Sequence, residues 1–374
     1  MQIGIPRETR EGETRVAATP ETIKKYIGAN HTVVVEHGAG QAARYPDEAY
    51  AAAGATLGSA QQALGSPLVL KVRAPSADEL PHMKAGTVVA GMLDPFDTEG
   101  LAALAAAGLT GFALEAAPRI TRAQSLDVLS SQANLSGYKA VLLAAHYYGR
   151  LFPMMMTAAG TLKAARAIVL GAGVAGLQAI ATAKRLGAVV EASDVRPAAK
   201  EQIESLGAKF IDVPFETDEE RQIAEGTGGY ARPMPPGWMA RQAALVSERC
   251  KQADIIITTA LIPGRPAPTL LSAETVQAMK PGSVVVDLAV ERGGNCPLSE
   301  RGQVVEKHGV TLVGLTNLPG LVPTDASALY ARNLLDFLKL ITDPEGALAI
   351  RRDDEIVAAC LVCEGGNVIQ KQKG

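Results

Sequence analysis

Short apolar runs rich in β-branched residues alternate with helical patterns almost from the first residue, and this alternation restricts the fold more than any other feature. Near the start of the chain the strand candidates are Gln2–Ile5, Thr32–Glu36, Leu68–Val72, Thr87–Met92 and Leu109–Leu114. Helix candidates at Thr19–Ile27, Asp47–Ala53, Ala77–Met83 and Thr98–Ala107 lie between them. Runs that are apolar on both faces and joined by helical crossovers predict a parallel sheet covered on both sides. Thr19 followed by Pro20 and Glu21 is a favourable helix opening.

A helical stretch rich in Leu, Ala and Tyr then runs from about Gln124 to Phe152 and reads as the connector into a second α/β unit. The strands expected there are Ala167–Leu170, Val189–Asp194, Lys209–Val213, Asp254–Thr259, Ser283–Leu288 and Thr311–Thr316. Six strands at this spacing fit the doubly wound dinucleotide fold. Phe215–Gln242, dense in Gly and Pro, breaks the rhythm and reads as a functional loop. Thr324–Ile341 is helical again, and Ala347–Cys363 reads as a small hairpin. The expected fold class is α/β: two Rossmann-like, doubly wound parallel-sheet domains joined by long helices. Residues 1–134 with 320–374 make the first domain, completed by the C-terminal segment, and residues 135–319 the dinucleotide-binding second.

At 374 residues the chain has the length for two such domains. A net charge of −3 lacks the basic footprint of a nucleic-acid binder. Four cysteines, no apolar leader and no uninterrupted membrane-length apolar run are expected of a soluble protein of a reducing, cytoplasmic setting.

The strongest local motif is Gly171-Ala172-Gly173-Val174-Ala175-Gly176. The apolar strand Ala167–Leu170 leads in and a helical pattern from Val174 to Leu186 leads out, which is the context a dinucleotide fingerprint requires. Gly171 suits the tight turn, Gly173 the approach of a pyrophosphate, and Gly176 close packing of helix on strand. The pyrophosphate then sits on the positive end of the helix. Asp194 closes the next strand, where a carboxylate accepts from adenosine ribose hydroxyls and disfavours a 2′-phosphate. That reading points to NAD(H), although Arg196, next to Val195, is a residue able to accept a 2′-phosphate.

Arg119-Ile120-Thr121-Arg122-Ala123-Gln124-Ser125-Leu126-Asp127 follows the fifth strand. Gln124, Asp127 and Ser130 recur at three-residue spacing and, if helical, share a face. An amide, a carboxylate and a hydroxyl suit a neutral carboxamide such as that of nicotinamide. Arg119 is placed to orient Asp127 or reach a phosphate. Helix capping and a surface ion pair explain the same residues without a ligand.

Gly4-Ile5-Pro6-Arg7-Glu8, Glu13-Thr14-Arg15-Val16-Ala17, Lys71-Val72, Pro118 to Ser131, Gly171–Gly176 and Asp287 to Cys296 together resemble one family. It joins alanine dehydrogenases with the NAD(H)-binding component of proton-translocating NAD(P) transhydrogenases. Arg119 to Asp127, Met154-Met155-Met156-Thr157-Ala158-Ala159-Gly160 and Thr258-Thr259-Ala260-Leu261-Ile262-Pro263-Gly264 are similar to the transhydrogenase branch. The resemblance implies that Gln124, Asp127 and Ser130 contact the nicotinamide, with Arg119 beside them, and that Asp194 takes the adenosine ribose. It places Val174, Ala175, Val195, Arg196, Thr259, Ala260 and Leu261 along the cofactor, and Tyr230 on a mobile loop that closes over it. It further implies direct hydride transfer from NADH to NADP+ on a partner domain, a membrane-spanning partner subunit that translocates protons, and a homodimer. The expected location is the inner face of the cytoplasmic membrane, reached through those partners.

Alanine dehydrogenase, an oxidative deaminase, is the alternative. Amino-acid oxidation needs a general acid/base and groups that hold a carboxylate, whereas ring-to-ring hydride transfer needs alignment and dryness. The dehydrogenases carry a catalytic histidine after the strand corresponding to Thr87–Met92, where this chain reads Gly91-Met92-Leu93-Asp94. Glu291 replaces their usual aspartate, while Lys71 matches their substrate lysine. No metal is expected, because Cys360 and Cys363 lack a second ligand pair. Met154–Met156 reads as core packing.

Overall fold

The computed structural model describes residues 1–196, 198–225, 234–262 and 264–369. The chain divides into two compact units, Met1–Gln132 with Pro319–Gly374, and Ala133–Leu318. In chain order the first unit begins with β1 (Gln2–Ile5), α1 (Pro20–Gly28), β2 (Thr32–Glu36), α2 (Asp47–Ala52), β3 (Thr56–Gly58) and α3 (Ala60–Leu64). It continues with β4 (Leu68–Arg73), β5 (Val88–Met92), α4 (Thr98–Ala106) and β6 (Thr110–Ala113). Helix α5 (Val128–Tyr147) starts in this unit and ends in the second.

The second unit has a small hairpin, β7 (Met155–Thr157) and β8 (Gly160–Leu162), then β9 (Arg166–Leu170), α6 (Val174–Arg185), β10 (Val189–Ser193), α7 (Ala199–Ser205) and β11 (Lys209–Phe210). Helices α8 (Asp218–Glu225) and α9 (Pro236–Cys250) lead to β12 (Ile255–Thr258), α10 (Ala273–Gln277), β13 (Val284–Asp287), β14 (Val304–Lys307) and β15 (Val310–Val313). The chain then returns to the first unit with α11 (Pro323–Ile341), α12 (Glu355–Cys360), β16 (Leu361–Glu364) and β17 (Asn367–Val368).

Each unit is built on a doubly wound sheet. In the second unit the order is β11-β10-β9-β12-β13-β15-β14, parallel throughout except for the edge strand β14. In the first the order is β17-β16-β6-β5-β4-β1-β2-β3, with β16 antiparallel to β6. The α/β class read from the alternating pattern is the class observed. Core strands such as Ile255–Thr258 and Val284–Asp287 are buried along their whole length, as a sheet covered on both faces demands.

Helix α11 shows how the C-terminal segment stabilises the first unit. Its Phe337 ring packs on Phe112 of β6 at 5.2 Å between centroids. The Tyr330 hydroxyl donates to the Lys71 carbonyl at 2.8 Å and accepts from the Met92 amide at 3.1 Å, tying the ends of β4 and β5 together.

Several local expectations give way to specific chemistry. Ala77–Met83 forms only a 3-10 turn at Leu80–His82, because Pro81 has no amide to donate and its ring obstructs the preceding turn. The long helix starts at Val128 rather than Gln124, since Asp127 takes ψ 90 and ends a separate 3-10 helix, Thr121–Leu126. It stops at Tyr147, ahead of Gly149 and Pro153, instead of reaching Phe152. Asp354 caps α12 through the Ile356 and Val357 amides, so the terminal hairpin is displaced to β16 and β17. Phe215–Gln242 is not one loop: α8 opens with three acidic residues at its positive end, and α9 with Pro236 in its first turn. Met154, Met155 and Met156 are 61%, 43% and 74% exposed, so they are not core. Short β3 and α3, and the antiparallel β14, carry too little apolar pattern to be read in advance.

Tyr330→Phe keeps the ring and removes the hydroxyl, which leaves the buried Met92 amide without its acceptor. A loss of about 1–3 kcal/mol in unfolding free energy is expected, measured by urea titration.

Candidate functional site

In the second unit β9 ends at Leu170 and the chain turns through Gly171, whose φ of 99 suits a residue without Cβ. Gly173 then starts α6 with no side chain capping it, so the first amides of a 12-residue helix are left for an external acceptor. A Cβ added at Gly173 would meet nothing within 4 Å, whereas one at Gly176 would lie 1.9 Å from the Gly171 carbonyl oxygen. The turn is therefore open where an anion would approach and closed where helix meets strand. Val174 faces solvent and Ala175 is half-buried beside it.

Asp194 fixes this turn from the end of β10. Its Oδ2 accepts from the Ala172 amide at 2.7 Å, and its Oδ1 accepts from the Arg196 amide at 2.8 Å. The Arg196 guanidinium closes on both oxygens at 2.9 and 3.0 Å. Burial pushes the Asp194 carboxyl upward, but the Arg196 and Ala172 hydrogen bonds outweigh it and hold the group below the usual carboxylate range. Arg196 is largely exposed and Val195 is exposed beside it, so a ligand hydroxyl reaches Asp194 by competing with a mobile surface partner.

Across the sheet, Thr259 Oγ1 donates to the Gly171 carbonyl at 2.9 Å. The following Ala260 is held on both sides by Asn295: its amide donates to Oδ1 at 3.0 Å and its carbonyl accepts from Nδ2 at 2.9 Å. Leu261 is left exposed. Asn295 and Cys296 in turn donate their amides to the buried Asp287 at the end of β13. Asn295 and Asp287 are not among the candidates that the sequence pattern offers. Their signal is a polar pair at a strand end in a stretch known only by its resemblance.

In the first unit the segment after β6 carries the remaining candidates. Arg119 and Gln124 are exposed, and Gln124 lies in the 3-10 helix, so Gln124, Asp127 and Ser130 do not share one α-helical face. Asp127 caps α5: its Oδ1 accepts from the Ser130 amide at 2.9 Å and its Oδ2 from the Ser130 hydroxyl at 2.6 Å. Asn333 of α11, which the sequence pattern does not single out, donates to the Ser125 carbonyl and accepts from Ser131, bracing the segment. Tyr230 lies outside the described residues.

Two carboxyl groups occupy the neighbouring strand ends. Asp94, with φ 52, donates its amide to Glu115 Oε1 at 2.6 Å, while Glu115 Oε2 is buried without a partner. Burial pushes the Glu115 carboxyl up to about 7. Lys71 is 1% exposed, 2.7 Å from Glu79 and 3.6 Å from Glu8. Arg15 and Arg73 are both paired with Glu13, beside a cavity of about 320 Å³.

Two family descriptions match the chain: "Alanine dehydrogenase/PNT, N-terminal domain" over residues 4–136 and "Alanine dehydrogenase/PNT, C-terminal domain" over residues 140–371. The chain belongs to the alanine dehydrogenase/PNT family. It is 51% identical over 378 residues to the first of the polypeptides that make up NAD(P) transhydrogenase subunit alpha in Rhodospirillum rubrum, covering 99% of this chain and 98% of that protein. The crystal structure of transhydrogenase from Sinorhizobium meliloti superposes with a TM-score of 0.90 at 52% identity, over 99% of this chain and 100% of the other. The alanine dehydrogenase of Bacillus subtilis is 28% identical over 375 residues, covering 98% and 92%. No helix among the described residues is long and apolar enough to cross a membrane.

Glu115 makes stability depend on pH. The folded protein keeps this proton to about pH 7, while the unfolded chain releases it near 4.5. The stabilisation is therefore full below pH 4.5 and lost as pH rises through 7. Glu115→Gln should remove about 3 kcal/mol of that slope, read as the difference in urea unfolding free energy between acid and neutral pH.

Proposed function

We propose that this chain is the NAD(H)-binding component of a proton-translocating transhydrogenase, passing hydride between its own nicotinamide and NADP(H) held on a separate domain. The observation that carries the reading is the likeness to transhydrogenase subunits along the whole chain, joined to a second unit whose open helix end is fixed by Asp194. The Gly171–Gly176 turn and the first amides of α6, including those of Val174 and Ala175, would hold the pyrophosphate. Asp194 would accept from the adenosine ribose hydroxyls, where a 2′-phosphate would meet a carboxylate, which favours NAD(H) over NADP(H). Val195, Arg196, Thr259, Ala260 and Leu261 line the same strand ends.

Arg119, Gln124, Asp127 and Ser130 are the groups we assign to orienting the nicotinamide and its carboxamide, with Tyr230 closing over the nucleotide. The Asp127–Ser130 pair is already ordered as a helix cap, so its contribution is pre-organisation rather than proton transfer. The bound nicotinamide supplies the hydride. The protein's share is to align it, keep water away and present it to the acceptor. After β5, where the dehydrogenases carry their histidine, this chain has Asp94, which supports hydride transfer over amino-acid oxidation.

The reading requires partners: a membrane-spanning subunit and the NADP(H)-binding domain, with this chain held at the inner face of the cytoplasmic membrane through them. Mixing the protein with a transhydrogenase NADP(H)-binding domain, NADPH and a spectrally distinct NAD analogue should produce reduced analogue directly. Gln124→Asn should slow that transfer at least tenfold while changing NADH affinity little. Turnover with alanine and NAD, and none with the partner domain, would falsify the assignment.

A homodimer is the second element of the proposal. The β7–β8 hairpin pairs only with itself, and Met154, Met155, Met156 and Leu162 stand exposed on it or at its start. A lone two-stranded ribbon with an apolar surface is marginal in water unless covered. Sedimentation at micromolar concentration should give a dimer, and Met154→Glu with Met156→Glu should give monomers of unchanged helix content.

A further inference from the structure

The buried face of α9 is a stripe at four-residue intervals, Trp238, Gln242, Val246 and Cys250, and one member is an amide. Burying an amide in an apolar stripe is costly unless its hydrogen bonds are met. Gln242 is 6% exposed, and its Nε2 donates to the Asp194 main-chain carbonyl at 3.1 Å and to Ser193 Oγ at 3.3 Å. The amide thus grips the backbone of the same residue whose carboxylate holds the Ala172 amide. The preceding residue, Arg241, ties α9 in another direction, with 2.8 Å contacts to Glu216 and Glu220 beside and within α8.

We propose that Gln242 is a positioning residue that fixes the Asp194 backbone against α9 and carries a change at that carboxylate into the helix. This rests on the reading of Asp194 as the ribose ligand. Ribose hydroxyls reach Asp194 by displacing the Arg196 guanidinium, which exchanges one set of partners on the carboxylate while Gln242 holds the carbonyl behind it. The helix carries its own reporter. Trp238, the single tryptophan of the chain, lies one turn before Gln242, 4% exposed, with its indole N–H unpartnered.

The experiment titrates the intact protein with AMP and, separately, with nicotinamide mononucleotide, following Trp238 emission and the heat of binding. AMP should bind the wild type and shift its emission. Gln242→Met keeps the side-chain volume and removes the donor. It should bind AMP about three- to tenfold more weakly, lose the emission response, and keep its affinity for nicotinamide mononucleotide. A purely structural role would weaken both half-ligands together. Gln242→Asn, which keeps the amide on a shorter stem, is read beside it and should recover part of the response. Gln242→Met that binds AMP with the wild-type affinity and emission shift, or that loses both half-ligands alike, overturns the inference. AMP affinity unchanged in Asp194→Asn instead removes the ribose reading, and this inference with it.

Discussion

One hydrogen bond organises the chemistry of the second unit: the Asp194 carboxylate accepting from the Ala172 amide at 2.7 Å. It joins the end of β10 to the turn after β9, so the two strand ends that define the crevice of a doubly wound sheet cannot drift apart. The turn's other side is held by Thr259, and Thr259's neighbour is held by Asn295. Three strand ends therefore share one polar network, and the open end of α6 stands on it. Removing the carboxylate would release the turn as well as any ligand bound there.

The first unit puts its polar groups at the same edge of its sheet and treats them differently. Lys71, Arg15 and Arg73 are paired internally with Glu8, Glu79 and Glu13. Buried cations satisfied by the chain's own carboxylates are costly to free, because breaking such a pair leaves an uncompensated charge. Glu115 is the exception, a carboxyl with one oxygen unpartnered and a proton held to about pH 7. The exposed set at Arg119 and Gln124, with the Asp127–Ser130 cap, is thus the polar surface of this segment that does not need an ion pair broken before it binds.

That division suits a reaction that moves no proton at its site. Ring-to-ring hydride transfer draws on rigid donors at known positions, and a helix cap braced by Asn333 supplies rigidity at little entropic cost. The same family serves amino-acid oxidation, so the fold by itself does not choose between the two chemistries. The residue after β5, and the partner the nicotinamide faces, make the difference.

The parallel sheets, the glycine turn and Asp194 were legible in the sequence because each is a local pattern. An apolar run has one period, a tight turn needs glycine, and a carboxylate closing a strand has few structural uses. What stayed illegible involves residues far apart in the chain. Gln242 and Asn333 look like ordinary helix residues until α9 is laid against β10, and α11 against the 3-10 segment. Met154–Met156 carries the composition of a core, and only the ribbon's separation from either main sheet puts it in solvent. Asp127 and Ser130 had the right spacing for the wrong helix, since the break at Asp127 turned a shared face into a cap. Periodicity determines which elements form, because backbone hydrogen bonding and side-chain alternation act within a few residues. Which buried amide or carboxylate has a task was decided by packing, because a polar group's free energy depends on the partner that the tertiary fold brings to it.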